Sequence, residues 1–321
     1  MPPPVMKTAM DSPVLSVEHV SVSYGARKAV DDLSFDIQPG EIVGLLGPNG
    51  AGKTTIIKSV CAQIEPDSGS IKIAGRRVRR GAENRKYVGL VPQDIGLYMH
   101  MSARENLTAF ARMFGLRGGD ITPAVDRALA DVGLTQRADD LVSGLSGGMK
   151  RRINYAAAIL HAPALLILDE PTAGVDIPAR DALHEVTRNL AGAGYGVLLV
   201  THELEQAEHL CDRVLVMKDG RRRDFDAPAA LLHREFEGRS ECLVTLDAAP
   251  DTDAVSRLQS LQFSPTDHPA IWHTEISPGA GQPLAAIGKS LDNAKISARE
   301  ITLRKPGLTS LFHKMALETR S

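Results

Sequence analysis

The chain has 321 residues, of which 43% are hydrophobic and 24% are charged, an ordinary composition for a water-soluble globular protein. Its length predicts about two domains. The formal net charge of −2 gives the chain no general attraction for nucleic acid or anionic lipid. We therefore expect no nucleic-acid partner.

The three cysteines, Cys61, Cys211 and Cys242, lie far apart in the chain. Their number and spacing argue against a disulfide framework and a zinc site, and they favour a reducing compartment. No apolar stretch reaches the roughly 18 residues that a membrane span needs, and the N-terminus lacks the apolar core of a signal peptide. We expect a cytoplasmic protein that only a partner would hold at a membrane.

The first elements of the chain are predicted to be a tail, a group of strands and a helix. Residues 1–12 are expected to form a disordered tail. Apolar and polar residues alternate within residues 14–37, which predicts antiparallel strands. The apolar run at residues 42–46 predicts a buried strand, and a helix is expected over residues 52–62.

A glycine-rich loop joins that strand to that helix and matches the phosphate-loop pattern G-x-x-x-x-G-K-[ST]. It comprises Gly47, Pro48, Asn49, Gly50, Ala51, Gly52, Lys53 and Thr54, with Thr55 next to it. Glycines let backbone N–H groups point at phosphate oxygens, and the helix N-terminus adds partial positive charge. Lys53 can reach the β- and γ-phosphates, and the Thr54 hydroxyl can bind Mg²⁺. The alternative is a strand-to-helix turn without a ligand.

The middle of the chain is predicted to be helical before it returns to strands. After strands at residues 70–74 and 87–91, residues 102–160 have a helical pattern that starts with capping-box spacing. Three near-continuous apolar runs follow, and such runs are typical of strands buried on both faces of a mainly parallel sheet. They occupy residues 164–168, 197–200 and 214–217.

Three polar side chains follow the first two of these apolar runs. Asp169 and Glu170 come at the end of the first run, where ligands of parallel sheets bind. Asp169 is assigned to the Mg²⁺ shell and Glu170 to the role of general base for the attacking water. His202 follows the second run. The alternatives are an Asp-Glu pair that caps a turn and a histidine that is merely satisfied in the core or at a cap.

A second candidate anion site precedes the last predicted helix of this region. Ser146 is placed as a helix N-cap and is followed by Gly147 and Gly148. A helix N-terminus with two bare glycines can bind an anion. The alternative is a plain helix start.

The C-terminal part, residues 239–321, is expected to be a small α/β domain, with a ferredoxin-like arrangement as one option. Strands and helices alternate in its pattern, and a last amphipathic helix follows. The strands are predicted at residues 242–246, 271–276 and 294–303, and the helices at 251–261, 282–291 and around 308–315.

Over residues 14–235 this set of segments resembles the nucleotide-binding domain of ATP-binding cassette (ABC) transporters. The resemblance rests on six motifs in the family's order. They are the phosphate loop, Gln93 after Val91-Pro92, the signature Leu145–Met149, the Asp169-Glu170 pair, the loop Ala173–Asp176 and His202. Tyr24 stands where the family stacks an aromatic ring on adenine.

The resemblance implies the fold class: an α/β P-loop NTPase core of ABC type, with a mixed sheet, an antiparallel β subdomain and a helical arm. The ATPase domain would span residues 13–238 and its helical arm about residues 97–162. ATP and Mg²⁺ are the implied ligands. Gln93 would sense Mg²⁺ and the γ-phosphate, although a surface-loop glutamine is the alternative, and for Tyr24 the alternative is a half-buried strand tyrosine.

The same resemblance implies a pair of subunits with twofold symmetry. Ser146 and Gly148 of one subunit, with Asp176 at the crossing loop, would close over ATP on the phosphate loop of the other. The partner would be a second copy of the chain or a paralogous subunit. His202 would contact the γ-phosphate.

The C-terminal domain and the loop Gly174-Val175-Asp176 are similar to ATP-binding subunits of ABC-2-type exporters. That group works through a separate integral membrane permease, so the chain would lie on the inner face of the cell membrane. Leu97, Tyr98, Met99 and Met101 are predicted to contact the permease, with core packing of the helical arm as the alternative. A soluble ABC ATPase for cofactor assembly is the alternative function.

Overall fold

The computed structural model describes residues 12–81, 86–266, 268–277 and 283–318. It contains two compact units, the first ending at Ala227 and the second beginning at Pro228. The predicted tail lies outside these ranges except for residue 12, so its disorder stays a prediction.

The first unit contains an antiparallel sheet with the strand order β2-β1-β4-β5. Its strands are β1 (Leu15–Tyr24), β2 (Arg27–Ile37), β4 (Ser68–Ile73) and β5 (Arg76–Arg77). Alternate side chains of β1 and β2 are buried, as the period of two predicted. Tyr24 and Arg27 face each other across the tight turn that joins these strands.

The second sheet of this unit has six strands in the order β10-β9-β3-β8-β7-β6. They are β3 (Ile42–Leu46), β6 (Val88–Val91), β7 (Leu165–Asp169), β8 (Gly196–Val200), β9 (Arg213–Lys218) and β10 (Arg221–Asp226). All neighbours pair in parallel except β9 and β10, which form a hairpin. The mixed sheet of the expected fold class is therefore present.

Six α-helices accompany these sheets within the described part of the first unit. They are α1 (Lys53–Val60), α2 (Ala103–Met113), α3 (Ile121–Asp131), α4 (Gly147–Ile159), α5 (Ile177–Gly192) and α6 (Leu204–Leu210). The predicted capping box of α2 is formed: Ser102 Oγ accepts from the Glu105 backbone N–H, and the Glu105 side chain accepts from the Ser102 N–H. Gly89 of β6 lets α4 approach the sheet closely, because a Cβ there would lie 2.3 Å from the Ala158 carbonyl oxygen.

The second unit has a four-stranded antiparallel sheet with the order β12-β13-β11-β14. The strands are β11 (Ser240–Leu246), β12 (Ser264–Pro265), β13 (Ile271–Ile276) and β14 (Ala298–Arg304). The helices are α7 (Pro228–Phe236), α8 (Thr252–Ser260), α9 (Pro283–Asn293) and α10 (Leu308–Glu318). The order of β11, α8, β12, β13, α9 and β14 is that of a split β-α-β arrangement.

Two details of the second unit differ from the sequence expectations. Its last strand begins at Ala298 and not at residue 294, because Lys295 has a positive φ of 53° that ends the preceding turn rather than continuing a strand. Helix α7 belongs to this unit, where Lys314 of α10 lies 3.2 Å from the Glu235 carboxylate. The unit therefore begins before the expected boundary at residue 239.

Candidate functional site

Four loops meet at one edge of the six-stranded sheet, where the parallel strands β3, β8, β7 and β6 end. They border a cleft of about 480 Å³. Most of the predicted site residues line it: Tyr24, Asn49, Gly50, Ala51, Gly52, Lys53, Thr54, Thr55, Gln93, Asp169, Glu170 and His202. The carboxyl edge of a parallel sheet is where such folds bind ligands.

The glycine loop depends on backbone shapes that a side chain would disrupt. Gly47 has φ 153°, and a Cβ there would lie 2.4 Å from the Met217 carbonyl oxygen. Gly52 has φ 104°, and a Cβ there would lie 2.4 Å from the Ala29 carbonyl oxygen. Both glycines are therefore required for the loop to curl against β9 and β2.

The loop leads directly into the N-terminus of α1. Gly52 is the N-cap residue and has no side chain to bond the first-turn N–H groups. These groups have no acceptor within the helix, so the end of α1 can receive phosphate oxygens. The cradle of donors therefore fits an anionic phosphate.

Lys53 lies at the floor of the cleft. Its Nζ donates to the Gly47 carbonyl at 2.5 Å and to the Pro48 carbonyl at 3.2 Å. Burial lowers the pKa of the Lys53 ammonium below its ordinary value, while the Glu170 and Asp169 carboxylates oppose that shift. A phosphate in the cleft would offer this cation a stronger acceptor than backbone carbonyls do.

The two carboxylates stand side by side at the end of β7. Burial first, and then the Glu170 carboxylate, raise the pKa of Asp169 above its ordinary value, against the opposing effect of Lys53. Two adjacent carboxylates attract a cation. Thr54 and Asp169 supply one hydroxyl and one carboxylate, and Mg²⁺ is typically held by few protein oxygens together with substrate phosphates and water.

Within the residues that the structure describes, no group of three or more His, Cys, Asp and Glu side chains could hold a metal by itself. The Thr54 hydroxyl and the Asp169 carboxylate are oxygen donors of the kind that fits Mg²⁺.

Glu170 and His202 are in direct contact. His202 Nδ1 lies 2.8 Å from Glu170 Oε1, although the two residues follow different strands. Glu170 adopts a positive φ of 48°, uncommon for a residue with a side chain, and its N–H donates to the Val200 carbonyl at 2.8 Å. The bond between the strand ends holds Glu170 in this conformation, beside the last residue of β8.

The predicted signature residues lie outside this cleft. Ser146 is the N-cap of α4, and its Oγ accepts from the Met149 N–H at 3.2 Å. Gly147 follows it, and Gly148 lies against α5, where a Cβ would be 2.5 Å from Ala179 Cβ. Asp176 caps α5 and accepts from the Ala179 N–H at 2.9 Å.

Two predicted loop residues, Gly47 and Pro48, also do not line the cleft, but both of their carbonyls accept bonds from Lys53 Nζ. Three lining residues were not identified from the sequence: Arg27, Ala29 and Val200. Arg27 follows the β1–β2 turn, which places it opposite Tyr24 at the cleft. Tyr24 is 52% exposed. The signal that could have found Arg27 is Gly25, a turn residue between two predicted strands that sets Arg27 beside Tyr24.

The segment predicted to contact a permease is only partly exposed. Tyr98 and Met99 are 48% and 39% exposed, and Met101 is half-buried. The expectation was wrong for Leu97, which is 9% exposed because its side chain turns into the protein. The buried Asn106 holds the backbone of this segment: its amide donates to the Tyr98 carbonyl at 3.0 Å and accepts from the Tyr98 N–H at 2.8 Å.

Comparison with known proteins agrees with this geometry. The family model described as ABC transporter matches residues 30–173. Nod factor export ATP-binding protein I of Burkholderia orbicola is 38% identical over 308 residues, covering 95% of this chain and 94% of that protein. This chain belongs to the ATP-binding subunits of ABC transporters.

Two further proteins share the ABC ATPase domain with this chain. Linearmycin resistance ATP-binding protein LnrL of Bacillus subtilis is 41% identical over 208 residues, covering 64% of this chain and 67% of that protein. A solved ATP-binding subunit of an ABC transporter superposes with a TM-score of 0.61 at 33% identity, covering 70% of this chain and 93% of that one.

Membership in this family makes the chain a nucleotide-binding ATPase that acts with membrane components and dimerises. None of the helices in the described ranges is both long and apolar enough to cross a membrane.

We predict that Asp169→Asn stabilises the nucleotide-free ABC ATPase domain while impairing the site. The raised pKa of Asp169 means that its ionised form is disfavoured in the folded state. At neutral pH the substitution therefore removes a free-energy cost of folding. This gain in stability should disappear as the pH falls through the raised pKa, because Asp169 of the wild-type chain is then protonated. We expect the Tm at pH 7.5 to rise by roughly 1–3 °C, measured by thermal denaturation without nucleotide.

The control is Asp181→Asn, an exposed carboxylate on α5, which should leave the Tm unchanged. A Tm at pH 7.5 that is equal to or below the wild-type value would contradict this account of Asp169.

Proposed function

We propose that this chain hydrolyses Mg²⁺-ATP within a twofold pair of subunits and so drives export through a separate ABC-2-type permease. The observation that carries the hydrolytic step is the 2.8 Å contact between His202 and Glu170 at the rim of the cleft that contains Lys53. A carboxylate that a histidine holds in place beside a phosphate cradle can act as the general base for an attacking water.

The residues divide between binding and chemistry. The N–H groups of the loop and of α1, together with Lys53, bind the β- and γ-phosphates of ATP. The Tyr24 ring, half-exposed at the cleft wall, stacks on the adenine. Glu170 accepts the proton of the attacking water, and His202 holds the carboxylate and contacts the γ-phosphate.

Thr54, Asp169 and Gln93 would hold Mg²⁺, which when bound neutralises charge on the phosphate oxygens. Thr54 follows Lys53 at the start of α1, and Asp169 ends β7. Gln93 follows β6 and lines the same cleft. The three side chains thus come from a helix start and two strand ends, so the metal site is sensitive to the relative position of these segments.

The second anion site is the reason for proposing a twofold pair. Ser146 and Gly148 lie at the N-terminus of α4, outside the cleft of their own chain. We infer that they close over the γ-phosphate bound to the other subunit, with Asp176 at the crossing between subunits. The partner subunit is a second copy of this chain or a paralogue.

Export is supported by the names of the relatives. One is described as a Nod factor export protein and the other as a linearmycin resistance protein. The match to the first relative covers almost the whole chain, so it includes the C-terminal unit as well as the ATPase domain. The working location that follows is the cytoplasmic face of the membrane, where the permease holds the subunit.

The permease contact is assigned to Tyr98, Met99 and Met101. The Asn106 amide holds the backbone of this segment by hydrogen bonds to Tyr98. The exposed parts of the three side chains can then adapt to a partner helix. Leu97 supports the segment from inside and is not part of the contact.

We predict that Glu170→Gln retains ATP binding but slows hydrolysis by roughly 10²- to 10⁴-fold, the usual contribution of a general base. The amide keeps the size of the side chain and loses the ability to accept the proton. Phosphate release and equilibrium binding of labelled ATP measure the two effects separately. Glu185→Gln, an exposed position on α5, serves as the control. Near-normal turnover in Glu170→Gln would overturn the assignment.

We predict that Tyr98→Asp and Met101→Asp reduce recovery of the chain with permease-containing membranes by about tenfold, because each places a charge on an apolar contact. ATPase activity of the isolated subunit should be unchanged. Met113→Asp alters a side chain that is 72% exposed but lies outside the segment, so it should leave membrane recovery at the wild-type level. Equal recovery of all three variants would refute the docking assignment.

A further inference from the structure

Arg151 is a buried cation that the proposed mechanism does not use. It lies on α4, five residues after Ser146, and is only 7% exposed. Burial lowers the pKa of its guanidinium, while the Asp94 carboxylate opposes that shift. An arginine remains protonated in proteins, so a full positive charge is held at this position.

The hydrogen-bond partners of this guanidinium are carbonyl oxygens from two separate loops. Nη1 donates to the Gln93 carbonyl and, at 3.3 Å, to the Pro92 carbonyl. Nη2 donates to the Ala173 carbonyl at 3.3 Å. The two loops are the one that carries Gln93 and the one that links Glu170 to Asp176.

A second buried side chain of α4 continues this pattern. Asn154, one turn after Arg151, is 5% exposed, and its Nδ2 lies 3.4 Å from the Asp94 carbonyl. Three successive carbonyls, those of Pro92, Gln93 and Asp94, therefore accept bonds from one helix face. Bonds to the backbone leave the Gln93 side chain itself available to the cleft.

We propose that Arg151 is a positioning residue that ties the Gln93 loop and the Ala173 loop to the signature helix α4. Its planar fork can bond two loops at once, which a lysine ammonium cannot do in the same geometry. A movement of α4 would thus move both loops together. This role rests on the proposed function, since it deepens the account of how the Mg²⁺ ligand and Glu170 are placed.

The direct test is hydrogen exchange on the full-length, nucleotide-free chain with Arg151→Lys. The Ala173 and Val175 N–H groups bond the Glu170 and Thr172 carbonyls at 3.1 and 3.2 Å, so their protection reports on the loop. We expect these two amides to exchange roughly 10-fold faster in the variant. Unchanged exchange at both amides would overturn the proposal.

The control is Arg127→Lys. Arg127 lies on α3 and donates to the carbonyl of Leu160, a residue just past the end of α4 that belongs to neither loop. The substitution should leave exchange at Ala173 and Val175 at the wild-type rate. Equal acceleration by Arg127→Lys and Arg151→Lys would show general loosening of the helical arm and would overturn the specific role.

Kinetics provide a second readout that a merely structural role would not move. We expect Arg151→Lys to lower kcat by roughly 10- to 100-fold, as a displaced catalytic group does. The half-saturating Mg²⁺ concentration should rise, while ATP affinity measured in EDTA should stay unchanged. A loss of ATP affinity in EDTA as large as the loss of kcat would instead indicate damage to the phosphate loop and contradict the proposal.

If Arg151→Lys does not fold, Asn154→Ala decides the question. A higher half-saturating Mg²⁺ concentration, with exchange at Ala173 unchanged, supports the division of bonds along α4, and an unchanged half-saturating Mg²⁺ concentration refutes it. If the wild-type chain hydrolyses no ATP, the proposed function fails, whereas the exchange measurement still tests the contacts of Arg151.

Discussion

The parallel pairing of β3, β8, β7 and β6 is the constraint on which the rest of the site depends. Neighbouring strands of a sheet lie about 4.8 Å apart, so residues just past the ends of adjacent strands must be close together. This pairing brings Lys53, Glu170, His202 and Gln93 to one cleft although they are distant in the sequence. The strand order thus sets the position of the cleft. The helices and the antiparallel sheet contribute further residues along its sides.

The charges in the cleft suit the metal-nucleotide complex that we propose it binds. In the nucleotide-free chain, Lys53 bonds backbone carbonyls, and burial together with the Glu170 carboxylate raises the pKa of Asp169. A metal-nucleotide complex supplies both a phosphate for the lysine and a cation for the carboxylates. Functional sites often retain such unfavourable arrangements at a cost in stability.

The parts of this fold that could be predicted from sequence are those with local causes. The glycine loop, the capping box at Ser102 and the carboxylates at the end of a buried run each follow from short patterns. The contacts of Arg151 join segments that are distant in the sequence, so no local pattern indicates them. Leu97 was misjudged for the same reason, because burial of one apolar residue in an exposed segment depends on its neighbours in space.

The central claim is that each ATP is enclosed by the phosphate loop of one subunit and Ser146 of the other. Mixing a Lys53→Ala chain with a Ser146→Arg chain tests it, since each variant alone has two damaged sites. The account predicts that the mixture recovers about a quarter of the wild-type ATPase rate, because half of the pairs are mixed and each has one intact site of two. A mixture no more active than either variant alone would contradict it.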